Sequence, residues 1–357
     1  MRRIGKKNLV SRMVWSILCV MVLLVTGCEH RPLMERLSDK DMRYVRVYLD
    51  EDIRNVSFGF YNENLPKPYY RTPEVVRVVL CSMESGSVVS EAYLREKGKD
   101  ERGNYLAGYV TARPGHYRLL AYNFDTESVH IKHEYDYESM YAYTNPISEE
   151  LYGRLQCVRG TSGEDNWQIV YEPDHLFISN GEEMIVEAHT DTLHTQGGKH
   201  LMAKTGVKSY FLQVEVKGAE LVTSAVALLS GMAGSLQLKD GQMRADDPVA
   251  VHFSLNNGKD QQRTEKTVAY TTFHTFGKLE GVENYLSITF EFHTKSGKTV
   301  TETIPLTELF QTDEVRVNQW IIIDKIIDIK NATGEEAGGG MTPNVGEWEN
   351  TEGDIYI

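Results

Sequence analysis

The stretch SYFLQVEVKG, residues 209–218, sets Leu212, Val214 and Val216 on one side and Phe211, Gln213 and Glu215 on the other. A period of two belongs to an extended strand with two distinct faces; a helix would scatter the same residues round its circumference. The pattern recurs along the chain. YVRVYLD puts Val45, Val47 and Leu49 on one face, and RPGHYRLLAYNF alternates Tyr117, Leu119 and Ala121 after a Pro114-Gly115 turn. Ile288, Phe290 and Phe292 alternate ahead of a hairpin turn at Ser296-Gly297. EVVRVVLC is nearly continuous in β-branched residues, as a strand covered on both faces would be. NQWIIIDKIIDIK reads as a further strand, while LVTSAVALLSGMAGSLQL is broken by Ser230-Gly231 and Ala233-Gly234. Helical periodicity is scarce. One short helix is expected after Ser148, a good N-cap.

Short strands separated by turns, in two successive blocks, predict an all-β chain of two tandem β-sandwich domains. The first block spans residues 43–195 and the second 205–357, joined through the loose stretch HTQGGKHLMAKTG. The tail, EEAGGGMTPNVGEWENTEGDIYI, carries a glycine hinge at 338–340 and then a weak strand pattern.

The amino end is of another kind. Arg2, Arg3, Lys6, Lys7 and Arg12 precede an apolar run, MVWSILCVMVLLV, too short for a stable membrane span. A basic n-region before such a run is a secretory signal, here residues 1–27. Small Thr26 and Gly27 stand before Cys28, and VTGC resembles the bacterial lipobox, in which the cysteine thiol takes a diacylglyceryl group. Cys28 is therefore expected to be lipidated and to begin the mature chain, with residues 28–42 as a linker. Glu29 in place of aspartate at the next position favours the outer membrane. The chain carries a net charge of −13, which becomes more negative once the basic leader is removed. Nucleic acid is excluded as a partner by repulsion, and so is a peripheral grip on anionic lipid.

The residues give an enzyme no foothold. There is no G-x-S-x-G, P-loop, H-E-x-x-H or dinucleotide fingerprint. HIKHE sets His130 and His133 three apart beside Glu134, but on a strand the two imidazoles point to opposite faces. A zinc shell needs further ligands, and His175, His189, His194 and His200 have no spacing that nominates them. No metal or cofactor is expected. Cys81 and Cys157 either pair in an oxidising compartment or remain two separate buried thiols. The segment HEYDYESMYAYT offers Tyr135, Tyr137, Tyr141 and Tyr143 as flat faces for sugars or a protein partner, or else as core packing.

Taken together, VTGCEHRPL, RPGHYRLLAYNFDTE, VEVKGAELVTSAVALLSGMAGSLQL and WIIIDKIIDI look like the fimbrillin-type lipoproteins of Bacteroidales bacteria. Within that group the chain is most similar to lipoproteins related to fimbrial anchor subunits. The resemblance implies two transthyretin-like sandwiches and a place in a strand-exchange pilus used in adhesion, with other fimbrillin-like subunits as partners. It also implies possible trimming after an arginine, for which Arg31, Arg36 and Arg43 are candidates. A donor strand would plug a neighbour's groove with alternate side chains; in this chain Val345, Trp348, Ile355 and Tyr356 would be the plugs, unless the tail closes its own domain. The expectation is a non-enzymatic, lipid-anchored outer-membrane protein at the cell surface, an anchor or accessory subunit. Its rival is a glycan-binding surface lipoprotein of an uptake system, recognisable by an exposed set of coplanar aromatics around the tyrosine-rich segment.

Overall fold

A computed structural model describes residues 42–50, 73–157, 167–187, 198–260, 265–281 and 286–334. Their strands form five sheets, and the fold is all-β as expected. The first sheet runs in the order Lys199–Met202 (β11), Arg43–Asp50 (β1), Gly103–Ala112 (β5), Glu96–Asp100 (β4). The second is Lys204–Thr205 (β12), Phe177–Val186 (β10), Gly115–Asn123 (β6), Val76–Ser82 (β2), Val88–Leu94 (β3). Between these two lies a core of Val45, Val47 and Leu49 with Leu80, Leu106 and Leu119. The Pro114-Gly115 turn carries the chain from one of these sheets to the other.

A second sandwich pairs Asn256–Lys259 (β17), Thr267–Thr275 (β18), Lys208–Lys217 (β13) and Trp320–Asp328 (β21) with a fourth sheet. That sheet is Thr299–Pro305 (β20), Ser287–Thr294 (β19), Val222–Ala233 (β14), Pro248–Ser254 (β16) and Gln168–Tyr171 (β9). Leu212, Val214 and Val216 meet Leu229, Phe290 and Phe292 in its core, where Phe253 and Phe273 stack at 4.0 Å. The β19–β20 hairpin turns at Gly297, whose φ of 81° suits glycine.

The fifth sheet is small: Ser235–Gln237 (β15), Tyr141–Thr144 (β8), Val129–Lys132 (β7). Its inner face joins the outer face of the second sheet in a third core, where Val79, Cys81 and Leu120 pack with Ala142, Leu236 and Phe276. Strand β2 is thus buried on both sides, as its unbroken apolar run requires. The apolar stretch 221–238 breaks once, at Gly234, where an added Cβ would lie 2.7 Å from Val249. Gly231 instead sits at a bulge inside β14. The expected helix is Glu149–Arg154 (α1), with the Ser148 hydroxyl accepting from the Leu151 N–H at 3.1 Å.

Two segments lie across the division expected near residue 200. Strand β9, from the first block, pairs in parallel with β16 of the second sandwich. The stretch read as a loose connection supplies β11 and β12, which complete the first sandwich. Of the two glycines that suggested a loop, Gly198 has a packing reason: a Cβ there would stand 2.6 Å from the Arg46 carbonyl oxygen. Leu201 then drops fully into the core.

Candidate functional site

Several expected site residues fall outside the described residues: Cys28, Arg31, Arg36, His189, His194 and the tail positions Val345, Trp348, Ile355 and Tyr356. Arg43 is the first residue of β1, so cleavage after it would leave the rest of that strand in place. No disulfide joins Cys81 to Cys157. Cys81 is sealed between the second and fifth sheets, whereas Cys157 packs against the separate cluster around α1, so the pairing left open by the sequence is not made. Burial pushes the Cys81 thiol up to about 12, Asp136 adding to the shift and Arg118 opposing it.

The histidines disperse. His130 points outward from β7 and shares a 2.8 Å contact with Asn145; His133 sits in the following turn with φ at 54°. His175 lies against His274, and His200 stacks on Tyr48 while meeting Asp50 at 3.0 Å. Among the described residues no group of three or more metal-ligating side chains is brought together.

The tyrosine-rich segment divides as a half-buried sheet should. Tyr137 is buried in the third core and Tyr135 is exposed. Tyr141 and Tyr143 lie on the outward face of β8, their rings 6.0 Å apart but tilted by 58°, so they do not form a coplanar platform. Cations surround them. The Arg244 guanidinium stands 4.4 Å from the Tyr141 ring and the Lys132 ammonium 5.2 Å from that of Tyr143. His130 and His133 each lie 5.7 Å from one of the same rings.

A second aromatic face covers the first sheet. Tyr44, Arg46 and Tyr48 of β1 share it with Tyr105 and Tyr109 of β5, and Arg46 reaches over both Tyr48 and Tyr109. The Arg46 guanidinium also pairs with Glu96 at 2.5 Å. Tyr44 and Tyr109 are about half exposed. The same period of two that marks Val45, Val47 and Leu49 as core places these tyrosines opposite, which was the available signal.

Sheet edges decide where another chain could add. Among the described residues, the edge strands β4, with two lysines, a glutamate and an aspartate, and β20, with three threonines and a glutamate, are blunted by polar side chains. Among the described residues, strand β21 is an edge of another kind: nine residues, five of them isoleucine, with Ile326 exposed. Strand β1, by contrast, is no edge. It pairs with β5 along its whole length and with β11 from Val47 to Asp50.

Residues 27–254 match a family described as a domain of unknown function, DUF5119. The chain belongs to the DUF5119 family. It is 24% identical over 365 residues to Fim4B of Bacteroides ovatus, named as a fimbrium anchoring subunit, the alignment covering 95% of this chain and 96% of the relative. Among solved structures, a Bacteroides ovatus protein named as an adhesin is 23% identical, with 84% of this chain and 98% of that one covered at a TM-score of 0.49. The fimbrial anchor protein Mfa2 from Porphyromonas gingivalis is 14% identical, with 79% and 89% covered at a TM-score of 0.43. The resemblance read from the sequence, to Bacteroidales proteins related to fimbrial anchors, is the one these relatives carry.

Proposed function

We propose that this DUF5119 chain is a fimbrial anchor subunit, held at the outer membrane by a lipid on Cys28 and joined at the cell surface to other fimbrillin-like subunits. The observation that carries the reading is likeness to a named fimbrium anchoring subunit along 95% of the chain. The geometry agrees in one respect. A subunit that receives a neighbour's strand needs an open slot above an apolar groove. Here β1 fills the slot between β11 and β5 with its own Val45, Val47 and Leu49. An anchor that keeps its amino-terminal segment keeps that slot closed and offers an edge elsewhere, such as β21, which ends its sheet among the described residues.

Lipid attachment is tested by globomycin, which should trap a precursor, and by Cys28→Ala, which should leave the membrane fraction. Anchor and stalk are told apart by mass spectrometry of the native amino terminus. A lipidated Cys28 on the assembled protein supports an anchor; a terminus beyond Asp50 would mean that β1 is lost and the anchor reading fails. Deleting residues 341–357 should impair co-purification with fimbrial subunits if the tail is a donor strand.

A further inference from the structure

One face of the third sheet packs in the second sandwich. Leu212, Val214 and Val216 of β13 enter that core, so Phe211, Gln213 and Glu215 point away from it. The register sets Val268 and Tyr270 of β18 on the same outward side, with Trp320 and Ile322 of β21. A sheet face left to water keeps its large side chains partly exposed, as Tyr44 and Tyr109 are on the first sheet. On the third sheet Phe211, Val268 and Gln213 are only 3%, 1% and 4% exposed. Phe211 and Val268 belong to none of the four apolar clusters that the described residues form, so no sandwich core accounts for their burial. Gln213 adds a polar sign. Its Nε2 donates to the Asp260 carboxylate at 3.3 Å, while its buried Oε1 meets no donor among the described residues.

We propose that the carboxyl-terminal tail, residues 341–357, lies over this face and closes it. The described chain ends at Gly334, after the short helix Ile329–Thr333 that follows β21. Gly334 stands in a cleft at the foot of the same sheet, with Glu215, Lys217 and Thr267. The face runs about 26 Å along β13 from Lys217 to Ser209, a length that the residues beyond the 338–340 glycines can span in extended form. Val345, Trp348 and Ile355 supply apolar side chains for Phe211, Val268 and Ile322, and a backbone N–H of the tail would donate to the Gln213 Oε1. A tail so held is not free to fill a neighbour's groove. One consequence rests on the anchor reading above: the strand exchanged at the base of the fibre must then come from the neighbour.

The test uses the full chain, detergent-solubilised, with the photo-reactive p-benzoylphenylalanine in place of Trp348. Irradiation should give a cross-link within one chain, mapped by mass spectrometry to the peptides that hold Phe211, Val268 or Tyr270. A second measurement compares Trp348→Asp with Trp348→Phe, which keep the same remaining tryptophans. The aspartate variant should show red-shifted emission and a severalfold rise in acrylamide quenching as Trp320 is uncovered, because a carboxylate cannot stay in an apolar contact; the phenylalanine variant should stay close to the unaltered protein. Cross-links between chains would place a second copy on the face and overturn the proposal. Cross-links confined to β21 would mean a strand added at the sheet edge, and would overturn it too. So would cross-links elsewhere, none at all, or equal quenching in the two variants. The anchor reading is untouched by any of these results, since it rests on Cys28 and the native terminus.

Discussion

Strand β1 permits a quantitative test of how the first sandwich is held together. Val45, Val47 and Leu49 are 8%, 0% and 2% exposed. Burying a valine or leucine side chain contributes about 1.5–3 kcal/mol, so the three together contribute roughly 5–9 kcal/mol. A whole domain is commonly stable by only about 5–15 kcal/mol, so the sandwich should not survive loss of this strand. The perturbation is a protease site placed between Asp50 and Thr72, cleaved in the folded protein. Nicking breaks one peptide bond and none of the pairings to β5 and β11, so native mass spectrometry should find the fragment still bound. Urea should release it in the same transition that unfolds the first sandwich. After its removal, a synthetic RYVRVYLD peptide should rebind, and the same peptide carrying Val47→Asp should not, because a carboxylate at a fully buried position has no partner there. Departure of the fragment on nicking with no change in melting temperature, or equal rebinding of the two peptides, would refute the reasoning.

Other consequences are simpler to check. Burial lowers the His252 pKa to about 4, with Glu291 opposing the shift. The unfolded imidazole takes its proton near pH 6.5, so this contribution, on the order of 3 kcal/mol, is whole above that pH and is lost as pH falls toward 4. His252→Gln should remove this share of the pH dependence in urea melts, leaving that of His274, which burial lowers to about 3; an unchanged slope would count against it. Arg77, 3% exposed, donates to Tyr122 at 2.8 Å, to Glu91 at 2.6 Å and to Glu134. Arg77→Ala should cost roughly 2–4 kcal/mol, less than for a fully buried pair because both acids are about a third exposed, and a loss below about 0.5 kcal/mol by urea unfolding would contradict this. Iodoacetamide followed by peptide mapping should leave Cys81 unmodified until denaturant is added; rapid native labelling would show that its core opens.

Much of the fold was legible because a period of two needs only local information. The Leu212, Val214, Val216 face, the two-sided burial of β2, the Ser148 cap and the Gly297 hairpin each follow from residues within a few positions of one another. What was missed depends on partners distant in the chain. Nothing in Gln168–Tyr171 says that its neighbour is β16, some eighty residues on, because a parallel pairing leaves no turn in the sequence to announce it. The glycine pair 197–198 reads as a loop signal, yet Gly198 permits close approach to β1. The tyrosine face of the first sheet was present in the alternation of YVRVYLD, but parity alone cannot tell an exposed tyrosine from one covered by another layer.

These long-range pairings also change what a domain boundary means in this chain. Strand β15 closes the fifth sheet against β8 from the first half, and Ala233, Leu236, Leu238, Phe276 and Leu279 complete the core beneath Val79, Cys81 and Leu120. On the far side, the Glu291 carboxylate of β19 accepts the N–H groups of Gln156 and Cys157, both at 2.8 Å, which ties the segment after α1 to the second sandwich. Burial alone would raise the Glu291 pKa, but the hydrogen bond from His293 and those from Cys157 outweigh it and hold the group ionised below the usual carboxylate range. The chain therefore crosses between its halves at a strand, a small sheet and a buried carboxylate. A cut near residue 200 would expose the third core and leave β9 without its partner. Force applied across the chain is better borne by such interleaving than by a single linker, since several pairings must then part together before the halves separate.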